Sequence, residues 1–247
     1  DISVFVKYGM LTDDKFFEKA EKFFLLKTTE GEYFTLAEYK EKVATLQTDK
    51  DGKVVYLYSN SKDIQDSAIA KAKNLSYSVL LFDHPIDSHL IQRIEGKEEN
   101  VSIKRIDAAP LSELINKDEK IEEVLSKKEI EKIENLYKEV VGEGGVFNVS
   151  TKALSPQEAP VLIVQDEFMR RMKEMSAMSG GMGFGNFPES YNVVVNTNHD
   201  LNRKIAGADS GNELAQHAID LAKLANGLLK GEELTKFINR SLQSMNS

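Results

Sequence analysis

Val54-Val55-Tyr56-Leu57-Tyr58 is a run of β-branched, aliphatic and aromatic residues without a charge. It follows the turn Asp49-Lys50-Asp51-Gly52, and a helical stretch over 61–73 comes after it. Val79-Leu80-Leu81-Phe82 is a second run of the same kind. A helical stretch over 86–95 leads to a third, Val101-Ser102-Ile103-Lys104-Arg105-Ile106. Strands that alternate with helices predict βαβ units and a small parallel sheet.

Upstream of this sheet, Thr12-Asp13-Asp14 starts a helix with Phe16, Phe17, Ala20, Phe23 and Phe24 on one face. After a turn at Glu30-Gly31, Thr35 caps a helix that runs to about Leu46, and Glu38 completes a capping box. Downstream, a long charged helix is expected over 117–141, marked by Ile121, Val124, Leu125, Ile130, Ile133 and Val140. Gly142-Glu143-Gly144-Gly145 ends it and places a domain boundary between 1–145 and 146–247. The second part reads as strands over 146–149, 161–164 and 191–195, with a turn from Pro156 to Pro160. Asn198 is expected to cap a short helix that ends near Gly207.

Two helices close the chain, over 212–229 and 232–245, with Gly231 between them as the turn of a hairpin. The first carries Leu214, Ala218, Leu221, Ala225 and Leu228 at four-then-three spacing, widened by Ala215, Ala222 and Leu229. The second carries Leu234, Phe237, Ile238, Leu242 and Met245. Such a hairpin cannot bury both faces by itself. It packs either on its own domain or against a second copy, where it makes a four-helix bundle. The candidate dimer interface is therefore Leu214, Ala218, Leu221, Ala225, Leu228, Leu234, Phe237, Ile238 and Leu242. The fold class is α/β and α+β. A three-stranded parallel βαβ subdomain with flanking helices precedes a mixed small-sheet domain, which ends in that hairpin.

Five of the seven methionines lie within fourteen residues: Met169, Met172, Met175, Met178 and Met182. At helical spacing the first four share half a circle with Phe168. Arg170, Lys173 and Glu174 fall on the other half, and Arg171 sits at the edge. Gly180, Gly181, Gly183, Phe184, Gly185 and Phe187 come next. Methionine is unbranched and polarizable, so such a stripe repacks against surfaces of many shapes. The stripe reads either as core or as an adaptable apolar binding surface made of Phe168, Met169, Met172, Met175, Met178, Met182, Phe184 and Phe187.

Composition narrows the classes further. The 247 residues carry a net charge of −8, of which residues 1–145 hold −7. That balance disfavours a nucleic-acid partner. No apolar run approaches the roughly 18 residues that span a bilayer, and the start has no signal-peptide pattern. Cysteine is absent, which excludes disulfides and thiolate metal sites. The chain opens at Asp1 inside an amphipathic stretch (Val4, Phe5, Tyr8), as expected of a segment from a longer protein.

Catalytic motifs do not appear. Asp49-x-Asp51-Gly52 fails as a calcium loop, whose twelfth position would be Tyr58. His84 and His89 are wrongly spaced for zinc, with Pro85 between them, and His199 and His217 are isolated, so surface or capping roles are expected for all four. No phosphate-binding glycine loop comes after Tyr58, and no nucleophile elbow exists.

Several stretches, in this order, resemble the HtpG family of bacterial heat-shock protein 90 chaperones. They are Phe5-Val6-Lys7-Tyr8-Gly9 with Lys15-Phe16-Phe17, Phe24-Leu25-Leu26-Lys27-Thr28-Thr29, and Phe34-Thr35-Leu36-Ala37-Glu38-Tyr39. Val55-Tyr56-Leu57-Tyr58 and Tyr77 to Asp87 match the family's small βαβ subdomain, and Ala159-Pro160-Val161-Leu162-Ile163-Val164 its strand before the amphipathic helix. Where the family commonly has Asn-Pro-Asp-His, this chain has Asn196-Thr197-Asn198-His199. The resemblance implies the end of the middle domain followed by the C-terminal domain of a cytoplasmic, ATP-dependent chaperone. It implies a homodimer through the last two helices and non-native client proteins on the Met-rich segment. Nucleic acid and membrane are not among the implied partners. ATP with magnesium belongs to the full-length protein. This chain carries over no catalytic residue, no metal and no cofactor site, and is expected not to be an enzyme by itself. The competing reading is a targeting or binding module that cradles apolar peptides. The near-neutral charge of residues 146–247 speaks against its RNA-binding form, and the basic face at Arg170, Arg171 and Lys173 is short for a membrane-surface helix.

Overall fold

The computed structural model describes residues 2–118, 121–142, 145–165, 170–171 and 190–245. The chain forms two compact units. One comprises Asp1–Glu119 with Glu167–Phe187, the other Lys120–Asp166 with Pro188–Ser247.

The first unit is organised around β3 (Val54–Ser59), the middle strand of a parallel sheet ordered β4 (Val79–Leu81), β3, β5 (Val101–Arg105). Every residue of β3 is buried, as expected of a parallel strand covered on both faces. Its alternation feeds two cores. Val54, Tyr56 and Tyr58 face a core built with helices α1 (Ile2–Thr12), α2 (Asp14–Ala20), α3 (Leu36–Gln47) and α5 (Asp87–Lys97). Val55 and Leu57 face the other, with Ala72 of α4 (Asp66–Asn74) and Leu111 and Leu114 of α6 (Leu111–Leu114). The capping box at α3 is present as read: Thr35 Oγ1 accepts from the Glu38 N–H, and the Glu38 carboxylate accepts from the Thr35 N–H at 2.8 Å. A two-stranded hairpin, β1 (Leu26–Lys27) with β2 (Tyr33–Phe34), turns at Gly31. Phe16 and Phe23 stay exposed, and only Phe17, Ala20 and Phe24 of that predicted face reach the core.

The second unit carries a mixed sheet in the order β6 (Phe147–Lys152), β8 (Tyr191–Asn196), β7 (Val161–Val164). β6 runs parallel to β8 and β7 antiparallel. Its core joins Ile163, Val193 and Val195 to Ile133 and Tyr137 of α7 (Lys127–Val141), Ile205 of α8 (Asp200–Gly207), and Ala215, Ala218, Ile219 and Ala222 of α9 (Asn212–Ala225). The last helix is α10 (Gly231–Ser244).

Four expectations need correction. The helix expected over 117–141 begins only at Lys127, because Ser126 and Glu129 form a capping box that fixes its start. Ile121 and Val124 lie before that helix, and the Val124 N–H instead donates to Asn198 Oδ1. Asn198 is thus occupied with the 122–124 backbone, and His199 is the residue that caps α8, its Nδ1 accepting from the Leu201 N–H at 3.1 Å. The units divide at 119/120 and not after the glycines at 142–145. α7 buries Ile133 and Tyr137 in the second core, so it belongs with the mixed sheet downstream. The turn of the terminal hairpin starts at Gly227, whose φ of +66° ends α9, while Gly231 opens α10.

Candidate interaction surfaces

α9 divides its apolar residues between two faces. Ala215, Ala218, Ile219 and Ala222 are buried against the second sheet and α7. Gly211 permits this approach at the helix start, since a Cβ there would meet Ile205 Cγ2 at 2.9 Å. The other face is uncovered: Leu214, Leu221 and Leu224 remain 44–46% exposed, and Ala225 is exposed beside them. α10 buries Phe237 alone. Ile238, Leu242 and Met245, at helical spacing, are 47%, 55% and 80% exposed, with Leu234 half-buried.

Polar contacts and one ring contact hold the two helices together. The Arg240 guanidinium pairs with the buried Asp220 carboxylate, Lys223 Nζ pairs with Glu233 at 3.1 Å, and the His217 and Phe237 rings lie 5.3 Å apart. Among the described residues these contacts leave the leucines of that face about half exposed. Among the nine residues predicted for a dimer interface, Leu214, Leu221, Ala225, Ile238 and Leu242 are exposed. Ala218 is a core residue and is unavailable, and Phe237 and Leu228 are already largely covered within the unit. Periodicity alone could not separate them, because adjacent arcs of one helix serve the core and the free face.

The predicted client-binding residues Phe168, Met169, Met172, Met175, Met178, Met182, Phe184 and Phe187 lie outside the described residues. Arg170 and Arg171, inside the same stretch, are described. Arg170, read as lying on the half opposite the methionines, is 3% exposed. Its guanidinium donates to the Tyr58 hydroxyl at 2.6 Å and helps to line a cavity of about 390 Å³ at the carboxyl ends of β3 and β4. Tyr58, Phe82, Pro85 and Ile91 supply the apolar walls. Asp87, at the start of α5, accepts from the His84 N–H at 3.1 Å and pairs with Lys7 at 2.6 Å. Arg171 pairs with Glu95 at 3.0 Å. Sequence reading missed both anchors. The available signal was a pair of adjacent cations in sequence between Met169 and Met172.

Among the described residues no group of three or more His, Asp or Glu side chains is placed to hold a metal. The Asp49 turn is a local one: its carboxylate accepts from the Asp51 and Lys53 N–H groups, both at 2.9 Å. His84 Nδ1 accepts from the Ile86 N–H. No helix among the described residues is long and apolar enough to cross a membrane.

No protein-family model matches the chain. Curated relatives do. The chaperone protein HtpG of Bacteroides thetaiotaomicron is 33% identical across 98% of this chain and 46% of its own length. The HtpG chaperone of Porphyromonas gingivalis is 41% identical across 84% of this chain and 31% of its own. That of Chlorobium phaeobacteroides is 25% identical across 96% and 38%. The chain spans less than half the length of these relatives, and what it matches is their C-terminal part.

Proposed function

This chain belongs to the HtpG chaperone family, matching the C-terminal part of its members, and we propose that it is the dimerising, client-contacting part of an ATP-dependent folding chaperone of the cytoplasm. The observation that carries this reading is the uncovered apolar face of α9 and α10, with Leu214, Leu221, Leu224, Ile238 and Leu242 each about half exposed. Two such hairpins face to face make a four-helix bundle. Each leucine or isoleucine that passes from half exposed to buried contributes about 1 kcal/mol, so ten across a two-fold interface suffice to hold a dimer against the cost of association.

The Met-rich segment then supplies client contact. Burying one methionine is worth roughly 1.5–3 kcal/mol. Several of them hold a non-native segment loosely enough for release, and their flexible side chains accept many sequences. ATP and magnesium act elsewhere in the full-length protein. The βαβ region of this chain does not fit a nucleotide, since no glycine stands between Gly52 and Gly96 to let phosphates approach the strand ends.

The test is the solution mass of the chain by light scattering behind a sizing column, at two concentrations. A mass near twice 27.7 kDa is expected. Leu221→Glu with Leu242→Glu, both on exposed side chains, is expected to give the monomer with an unchanged circular-dichroism spectrum, because pairing would bury unpartnered carboxylates. A parent that is monomeric at both concentrations, or a double variant that stays dimeric, overturns the reading. Replacing Met169, Met172 and Met175 by serine is expected to weaken the holding of an unfolded protein while the dimer persists.

A further inference from the structure

Arg170 and Arg171, adjacent in sequence, are engaged in different ways within the first unit. Arg170 is buried, with its guanidinium on the Tyr58 hydroxyl and 5.9 Å from the centre of the Tyr58 ring. Arg171 reaches the sheet itself. β5 is an outer strand of that sheet. The backbone bonds that continue its pairing to β3 run from Val54 N–H to Asn100 C=O and from Ile106 N–H to Tyr58 C=O. Even-numbered peptide groups of the strand therefore face β3, and those of Ile103 face outward.

Both outward groups of Ile103 are taken by side chains. The N–H donates to the Glu95 carboxylate at 2.7 Å, and the C=O accepts from the Arg171 guanidinium at 2.8 Å. Glu95, on α5, and Arg171 are ion-paired with each other at 3.0 Å. One acceptor and one donor, fixed side by side, occupy the places that the backbone of a neighbouring strand would take. Open strand edges recruit foreign backbone, and charged side chains are a common block against it.

We propose that Arg170 and Arg171 are a two-point latch that fixes the start of the apolar segment to the first unit, with the Arg171–Glu95 pair closing the β5 edge at Ile103. Its bearing on function rests on the reading of the methionines as client contacts: the latch positions that surface and does not itself touch the client. The latch also keeps the edge of β5 from pairing with an extended client.

Hydrogen exchange by mass spectrometry on the 247-residue chain tests this, with Arg171→Gln and Glu95→Gln made singly and together. Arg171→Gln is expected to speed exchange of peptides spanning 99–106 and 167–175 roughly tenfold, the loss of one hydrogen-bonded charge, while the β3 peptide over 54–59 is unchanged. The double variant is expected to exceed neither single one by much, because both remove the same pair. Unchanged exchange over 167–175 with β3 still protected overturns the latch. If Arg171→Gln loosens β3 as well, Glu95→Gln decides by the same two outcomes, since glutamine retains an acceptor for the Ile103 N–H. Holding of an unfolded protein separates the two readings. Raised exchange, with Met169, Met172 and Met175 replaceable at no loss of holding, supports the latch and sinks the client surface. Unchanged exchange with holding lost in the methionine variant does the opposite.

Discussion

α7 and α10 are written alike and end differently. Both are strongly amphipathic helices with charged outer faces. α7 buries Ile133 and Tyr137 completely, and the Tyr137 hydroxyl donates to Asn202 Oδ1 at 2.7 Å inside the second core. α10 presents Leu234, Ile238, Leu242 and Met245 at equivalent spacing and buries Phe237 alone. An apolar stripe on a helix states that a face must be covered. It does not state by what. For α7 the cover comes from the same unit, and for α10 the described residues supply none. In the dimer proposed above, that cover is another α10 with its α9.

This contrast can be broken at several points. The largest effect is expected at the buried helix. Tyr137→Ala removes a fully enclosed ring and leaves Asn202 short of a donor, a loss of about 3–5 kcal/mol. Amides of β8 should lose protection while those of β3, in the other unit, keep theirs. Equal protection in both units would mean that α7 is not integral to the second core. Leu242→Glu in α10 is expected to change the stability of the isolated subunit by no more than about 0.5 kcal/mol, while it splits the proposed dimer. A smaller effect is expected at the helix starts. α7 begins with a full capping box on Ser126, whereas no side chain caps α10. Ser126→Ala should cost about 1 kcal/mol, read as faster exchange at the first turn of α7. No change there would show that packing alone fixes where the helix begins.

Much of the architecture was legible because local chemistry and global fold agreed. The three runs of the parallel sheet, the Thr35 capping box and the strands over 161–164 and 191–195 appear where composition and caps place them, while β6 runs on past the expected 149 to Lys152. The helix over 117–141 was overextended because Ile121, Val124 and Leu125 continue a plausible apolar rhythm. Only the Ser126–Glu129 box marks its true start, and charged residues on both sides hide it. The division between units was misplaced for a related reason. Glycines mark a turn, but a boundary is set by which core a helix buries its face in, and that is not a local property. Helical angle put Arg170 opposite the methionines and Arg171 at the edge of their arc, which says nothing of the hydroxyl, the carboxylate and the strand carbonyl that the first unit provides for them. Partners remote in sequence cannot be seen from the residue alone. The Thr35 cap, which is local and stands clear of other charged residues at its start, was visible.

The cap of α8 is where the reading missed by one residue, and there the difference has a consequence in pH. His199 Nδ1 accepts from the Leu201 N–H, which a neutral imidazole can do and an imidazolium cannot. Burial holds the His199 pKa below its usual 6.5, and Asp200 opposes the shift only in part. A group whose folded pKa is depressed contributes stability that is fully present above the unfolded value and is lost as pH falls through the folded one. The start of α8 should therefore be firm above pH 6.5 and loosen in mild acid. The α7 cap should behave otherwise: hydrogen bonds from the Ser126 side chain and backbone hold the Glu129 carboxyl below its usual 4.5, so this cap survives until stronger acid. Following the Leu201 and Glu129 amides by NMR from about pH 7.5 downward should show the first move well before the second. His199→Ser substitutes a hydroxyl cap without a titrating ring and should abolish the earlier step. A Leu201 amide that still moves in that variant would assign the transition to another group.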